Sequence, residues 1–185
     1  VQAQAEECLA LAQPKLTYRV CWQEYPLQIT GDTVDVGFAA FSSAALSRHL
    51  AGCERVVVFA ATVGLELDRL LARYGRLSPA KALWLDAIGT ERVESLCDAF
   101  CEELERDAAC GLCVTRRFSP GYGDLPLTLQ QDIFRALDPA RRIGLTLNGS
   151  LLMSPAKSVT ALVGLGSKGA PAKGTCVGCG KTDCA

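Results

Sequence analysis

Arg55-Val56-Val57-Val58-Phe59-Ala60-Ala61-Thr62-Val63 is a β-branched, apolar run without polar alternation, which is the pattern of a strand buried on both faces. Its neighbours in sequence decide what kind of sheet it belongs to. Gly64-Leu65 opens a helical pattern to about Tyr74. Ser78-Pro79 then gives a strong helix start, a serine N-cap before a proline at the first helical position, and the pattern continues to about Ala109. Leu83, Ala87, Val93, Leu96, Ala99, Phe100 and Leu104 follow helical spacing there. Gly89 interrupts it at a cost of about 1 kcal/mol against alanine, so it marks close packing or approach to a ligand. Upstream, residues 2–12 read as a short helix, Lys15 to Leu27 as a strand, Thr30-Gly31-Asp32-Thr33 as a turn, and Ser42 or Ser43 as the cap of a helix to about Leu50. Downstream, Leu112 to Phe118 reads as a strand, Thr128 to Leu137 as a helix ended by Asp138-Pro139, and Ile143 to Leu147 and Val159 to Leu165 as strands. Strands and helices do not alternate as in βαβ units. The expected fold class is therefore α+β: a helical N-terminal part, a curved and mainly antiparallel sheet with a long helix, and a cysteine-rich C-terminal tail. One domain over residues 1–166 and an appendage over 167–185 are expected.

The totals agree with one core. The 185 residues are 49% hydrophobic, with a net charge of −1, enough to bury a core and too neutral to suggest nucleic acid or an anionic membrane as partner. No apolar run approaches bilayer length, and Val1-Gln2-Ala3-Gln4 lacks the basic start and apolar core of a secretory signal. A cytoplasmic protein is the expectation. Of the 10 cysteines, Cys8, Cys21, Cys53, Cys97 and Cys101 lie in apolar or helical contexts, where a free thiol packs as a small hydrophobe.

Two segments carry the chemistry. In Arg117-Phe118-Ser119-Pro120-Gly121-Tyr122-Gly123-Asp124, the Pro-Gly pair makes a turn by presetting one φ and accepting a positive one. The same residues suit a ligand carrying a carboxylate, an amine, a sulfonium and an adenine. Glycine lets the backbone approach closely, Arg117 offers a planar fork to a carboxylate, and Tyr122 offers a flat face with a hydroxyl tip. Asp124, Glu91 or Glu94 are the carboxylates for the cationic end. On the residues alone, turn and ligand cradle both stand. Met153-Ser154-Pro155-Ala156-Lys157-Ser158-Val159 lies between two expected strands and reads as a hairpin-like loop with Lys157 in solvent.

The first segment resembles the R-x-x-P-G-Y signature, and the second the M-x-P-x-x-S-V segment, of the activation domain of cobalamin-dependent methionine synthase. Residues 60–64, 85–94 and 123–127 followed by Gln130 look like its free-standing members, and the resemblance spans roughly residues 35–165. It implies that S-adenosylmethionine is held by Arg117 at its carboxylate and by Ser119, Pro120, Gly121 and Tyr122, with Glu94 and Lys157 as further contacts. The fused enzyme places an acidic residue shortly before that arginine, where this chain has Cys110-Gly111-Leu112-Cys113. The implied function is reactivation of a methyltransferase: a corrinoid in the cob(II) state takes one electron and is then methylated by S-adenosylmethionine. The cobalamin would reside on a partner, a methionine synthase or other corrinoid protein, because no D-x-H-x-x-G motif occurs here. Flavodoxin or ferredoxin would supply the electron, and the chain would be an accessory component without turnover of its own.

Cys176-Val177-Gly178-Cys179-Gly180-Lys181-Thr182-Asp183-Cys184 carries thiols at a spacing that suits zinc or an iron–sulfur cluster, with a fourth ligand still to be found. An electron-transfer role would suit iron–sulfur. The rival class is accordingly a metal-binding or electron-carrier module for a corrinoid methyltransferase, and a third is an assembly protein for corrinoid enzymes. Cys110-Gly111-Leu112-Cys113 lacks the strand-then-helix setting of a thioredoxin motif. Gly164-Leu165-Gly166-Ser167-Lys168-Gly169 spells a dinucleotide fingerprint, but the composition of Ala170-Pro171-Ala172-Lys173-Gly174 does not suit the helix such a fingerprint must open. His49, the single histidine, has no supporting partners for a triad or zinc site, and the acidic run 102–107 reads as a solvated helix face.

Overall fold

The computed structural model describes residues 2–107 and 112–167. Its centre is a four-stranded antiparallel sheet in the order β1-β5-β9-β6, formed by β1 (Arg19–Pro26), β5 (Cys53–Thr62), β9 (Ser158–Ser167) and β6 (Leu112–Val114). The long central pair runs in register from Thr62 opposite Ser158 to Arg55 opposite Leu165. Val57, Phe59, Ala61, Ala161 and Val163 face one side, and Val56, Val58, Ala60 and Leu162 the other. Both faces are covered, which explains a run without alternation.

One face carries α4 (Pro79–Asp107), 29 residues long, through Cys97 and Phe100. The N-terminal half of α4 packs instead on α1 (Gln2–Ala12) and α3 (Leu65–Leu77), around Cys8, Leu67, Leu85 and Val93. Gly89 lies where these bodies meet: a Cβ there would come within 2.5 Å of Leu67 Cδ2 and 3.1 Å of Lys157 Cγ. The glycine serves close packing. The opposite face carries α2 (Ala44–His49), α5 (Leu129–Leu137) and α6 (Pro139–Ile143), with a small sheet of β2 (Gln28–Thr30), β3 (Thr33–Asp35) and β4 (Ala40–Ser42). A last hairpin pairs β7 (Thr146–Leu147) with β8 (Met153–Ser154).

The α+β class, the antiparallel sheet and the long helix are as the sequence indicates. Three local expectations change. The strand expected from Lys15 starts at Arg19, after a 3-10 turn at Gln13–Lys15. Ile143 to Leu147 is not one strand: Asp138 takes a left-handed conformation (φ 46°), Pro139 restarts a helix, and only Thr146 and Leu147 are extended. Leu112 to Phe118 is also broken, because Thr115 pairs with Gly164 and Phe118 with Leu162. Two residues, Arg116 and Arg117, therefore stand opposite one, Val163, a bulge that bends a strand and re-aims its side chains.

The glycines of the apparent dinucleotide fingerprint have a packing role. Gly164 and Gly166 lie inside β9, where added Cβ atoms would come within 2.6 Å of Cys53 Sγ and of the Gly52 carbonyl oxygen. Burial pushes the Cys97 thiol up to about 12 and that of Cys53 up to about 11, and raises those of Cys8, Cys21 and Cys101. These groups pack as neutral thiols, as their contexts suggest. Cys110, Cys176, Cys179 and Cys184 lie outside the described residues, and among the described ones no cluster of three metal-ligating side chains occurs. No described helix is long and apolar enough to cross a membrane.

Candidate functional site

The bulge after β6 turns Arg117 toward α4. Glu94 and Asp98 are four residues apart and so share one face of that helix. The Arg117 guanidinium donates to Glu94 Oε2 through Nη2 and to Asp98 Oδ1 through Nη1, each at 2.5 Å. Its side chain is 23% exposed while both carboxylates are at least half exposed. Burial alone would lower the Arg117 pKa; the hydrogen bond it donates to Asp98 and the surrounding negative charge outweigh it, and the net shift is upward. The carboxylates that meet the arginine thus come from the helix rather than from the segment preceding it, where Cys113 stands half-buried in β6.

Phe118 returns to the sheet through two 2.8 Å hydrogen bonds with Leu162, and the loop then closes on itself. Pro120 and Gly121 (φ 92°) occupy the middle of a turn in which Tyr122 N–H donates to the Ser119 carbonyl, as in a type II turn. Tyr122 remains 67% exposed. Asp124 leaves the site: its carboxylate accepts from Ser43 Oγ (2.5 Å), Ala44 N (2.7 Å) and Ala45 N (3.1 Å), anchoring the loop to the start of α2. His49 braces the other side, with Nε2 2.6 Å from the Arg116 carbonyl oxygen and its ring against Phe118.

The Ser43 hydrogen bond and the two backbone donors hold the Asp124 carboxyl below its ordinary value. A depressed folded value means that the anchor contributes in full above the ordinary aspartate pKa of about 3.9 and is lost as pH falls through the folded value. Asp124→Asn is expected to flatten that part of the stability profile, measured as melting temperature between about pH 5 and pH 2, and to leave the profile above it parallel to that of the native chain.

Arg117, Glu94, Ser119, Pro120 and Tyr122 line a cleft of about 410 Å³, within the usual range of about 300–1,000 Å³ for small-molecule sites. Its other walls are Phe118, Gln130, Met153, Ser158, Val159 and Thr160. The two sequence segments, separated in sequence by the whole stretch from Asp124 to Met153, therefore share one cavity. Ser158 Oγ donates to the Pro155 carbonyl (2.7 Å) and shares a hydrogen bond with Thr62 Oγ1 (2.8 Å), fixing the second segment to β5.

Two named residues stand elsewhere. Gly121 shapes the loop without lining the cleft; a Cβ there would come within 3.3 Å of Leu127 Cδ1. Lys157 lies neither in solvent nor on the cleft wall: its Nζ is 2.8 Å from Asp86 Oδ1 and 2.9 Å from Thr90 Oγ1, and its stem packs over Gly89. Glu91 faces Ser95 and Arg92. Asp98 was not legible as a site residue; its spacing from Glu94 was the available signal. Arg117 also walls a second cleft, of about 420 Å³, with Asp98, Cys101 and Thr115.

No family model matches the chain, and no curated protein matches it. Among solved structures, the crystal structure of the MetH reactivation domain bound to AdoHcy aligns with a TM-score of 0.68. The fold is that of the MetH reactivation domain. The alignment covers 95% of this chain and 67% of the other, at 18% sequence identity. The likeness thus spans nearly the whole chain, and at that identity it speaks for the backbone arrangement. It agrees with the resemblance drawn from the two sequence segments.

Proposed function

We propose that the chain is a reactivation subunit of a cobalamin-dependent methionine synthase or related corrinoid methyltransferase, and that the Arg117–Glu94 cleft binds S-adenosylmethionine. The observation that carries this reading is the convergence of both sequence segments on one cleft whose polar end holds a guanidinium beside a half-exposed carboxylate. That end complements an amino-acid zwitterion. Arg117 would take the α-carboxylate with its planar fork, and Glu94, released from part of its pairing, would take the α-ammonium. Exchanging one charge-assisted pair for two keeps every charged group partnered. Tyr122 provides an exposed aromatic face at the rim, and Met153, Phe118 and Val159 provide apolar walls. The AdoHcy held by the structural neighbour belongs to the same ligand class.

When bound, S-adenosylmethionine supplies an electrophilic methyl group on its sulfonium. This chain's task is to hold that methyl toward a corrinoid carried by a partner, with the reacting atoms about 3–3.5 Å apart. A corrinoid on that partner would supply a cobalt, reduced by one electron from a flavodoxin- or ferredoxin-type donor, that would take the methyl group while the bonding pair stays on sulfur; this chain's part is to hold the sulfonium at the cleft mouth.

Calorimetric titration of the purified protein with S-adenosylmethionine and with S-adenosylhomocysteine tests the reading. Saturable binding of both is expected. Failure of either ligand to bind, with and without a corrinoid partner, overturns it.

A further inference from the structure

Gln130 sits at the far wall of the cleft, in the first turn of α5, and is 6% exposed. Its Oε1 is buried and has no hydrogen-bond partner among the described residues. A buried amide oxygen left unmet is uncommon in a folded protein and calls for a ligand, a water or a functional use. Other polar side chains around the loop are satisfied: Asp124 by Ser43 and two backbone N–H groups, Ser158 by Thr62 and Pro155, and Arg117 by two carboxylates. Gln130 therefore stands out as an unmet group on the wall of a cavity that already has a charged end.

Resting on the reading of this cleft as a site for an adenosyl sulfonium, we infer that Gln130 is the residue that recognises the adenine base. A carboxamide presents a hydrogen-bond acceptor and a donor side by side. The edge of adenine offers the matching pair, an exocyclic amine that donates and a ring nitrogen that accepts, and glutamine pairs with that edge bidentately in nucleic-acid recognition. The last torsion of glutamine is broad, so the amide turns toward a bound base without leaving its rotamer. Thr160 is the other buried polar side chain on the wall, at 3% exposure. Against the apolar surfaces of Phe118 and Met153, Gln130 makes a polar point at which a base is read by its edge. Hypoxanthine, which replaces the exocyclic amine by a carbonyl, presents an acceptor to Oε1 and is disfavoured.

The test compares S-adenosylhomocysteine with S-inosylhomocysteine by calorimetry on the native chain and on Gln130→Met, which keeps the side-chain length and removes both hydrogen-bonding groups. The native chain is expected to prefer the adenosyl ligand by about tenfold or more. In Gln130→Met the adenosyl affinity is expected to fall by about tenfold while the inosyl affinity stays, so that the preference disappears. The unliganded variant is expected to melt at or above the native temperature, because a side chain with a buried, unmet carbonyl oxygen has been replaced by a thioether. Unchanged preference in Gln130→Met overturns this inference alone, as does a marked loss of melting temperature, which would make the amide structural. Binding of neither ligand by the native chain overturns it together with the reading of the cleft.

Discussion

Arg117→Ala is expected to weaken S-adenosylmethionine binding by one to two orders of magnitude while leaving the fold in place. Hydrogen bonds to charged groups contribute about 1.5–3 kcal/mol, and about 1.4 kcal/mol is tenfold in affinity. Loss of the fork that meets the ligand carboxylate therefore corresponds to roughly 10- to 150-fold. A nonspecific effect on stability is bounded by the site's exposure. With Arg117 gone, Glu94 and Asp98 form a like-charged i,i+4 pair, which costs about 0.2–0.5 kcal/mol on a helix, and both carboxylates are at least half exposed and can be hydrated. The melting temperature should then fall by only a few degrees. Arg117→Lys should recover little of the affinity, because an ammonium cannot serve a carboxylate bidentately while keeping Asp98 at a separate nitrogen. Calorimetry on the native chain and both variants, with melting curves as the control, measures this. An affinity within twofold of native in Arg117→Ala would remove the arginine from the site.

What the sequence could disclose about this site was set by how far each contact depends on tertiary approach. The Ser119-Pro120-Gly121-Tyr122 turn is local chemistry, a proline followed by a residue that needs positive φ, and it forms as its residues dictate. The central strand of the sheet was legible because a run buried on both faces has no polar alternation to obscure it. The long helix was legible because its start is marked by Ser78 and Pro79, and its described end at Asp107 falls within two residues of the expected one. The bulge at Arg116 and Arg117 was not legible. Leu112 to Phe118 has ordinary strand composition, and the extra residue appears only when Thr115 and Phe118 are both matched to β9. Asp98 depends on that bulge, since it meets Arg117 only once the arginine has been turned toward α4. Lys157 shows the same limit from the other side: it pairs with Asp86 where its stem crosses the helix at Gly89, an approach that tertiary packing sets. The three-residue strands β2 to β4 and the short helix α6 escaped for a simpler reason, being too brief for any periodicity to emerge.

The largest effect on stability is expected at Phe59, and it should reach the site. Phe59 is fully buried at the middle of β5, paired with Trp22 on β1 and Ala161 on β9. Its ring lies 4.9 Å from that of Phe100 on α4, centroid to centroid, with the planes tilted. Truncation to alanine removes transfer free energy and leaves a cavity, about 3–5 kcal/mol together. The upper part of that range applies because the neighbours that share the face, Ala61 and Ala161, are too small to fill the space. At about 2–4 °C per kcal/mol for a chain of this size, the melting temperature should drop by about 10 °C or more. Phe100 lies six residues after Glu94 and two after Asp98, so the same contact that seats α4 on the sheet also sets the height of both carboxylates relative to Arg117. Phe59→Ala should therefore also weaken S-adenosylmethionine binding at a temperature where the variant is fully folded, although Phe59 does not line the cleft. Phe59→Leu, which retains much of the volume, should recover most of both losses. Melting curves and calorimetry on the two variants separate the cases: a stability loss with native affinity would show that α4 holds its carboxylates in place through its N-terminal packing on α1 and α3 alone.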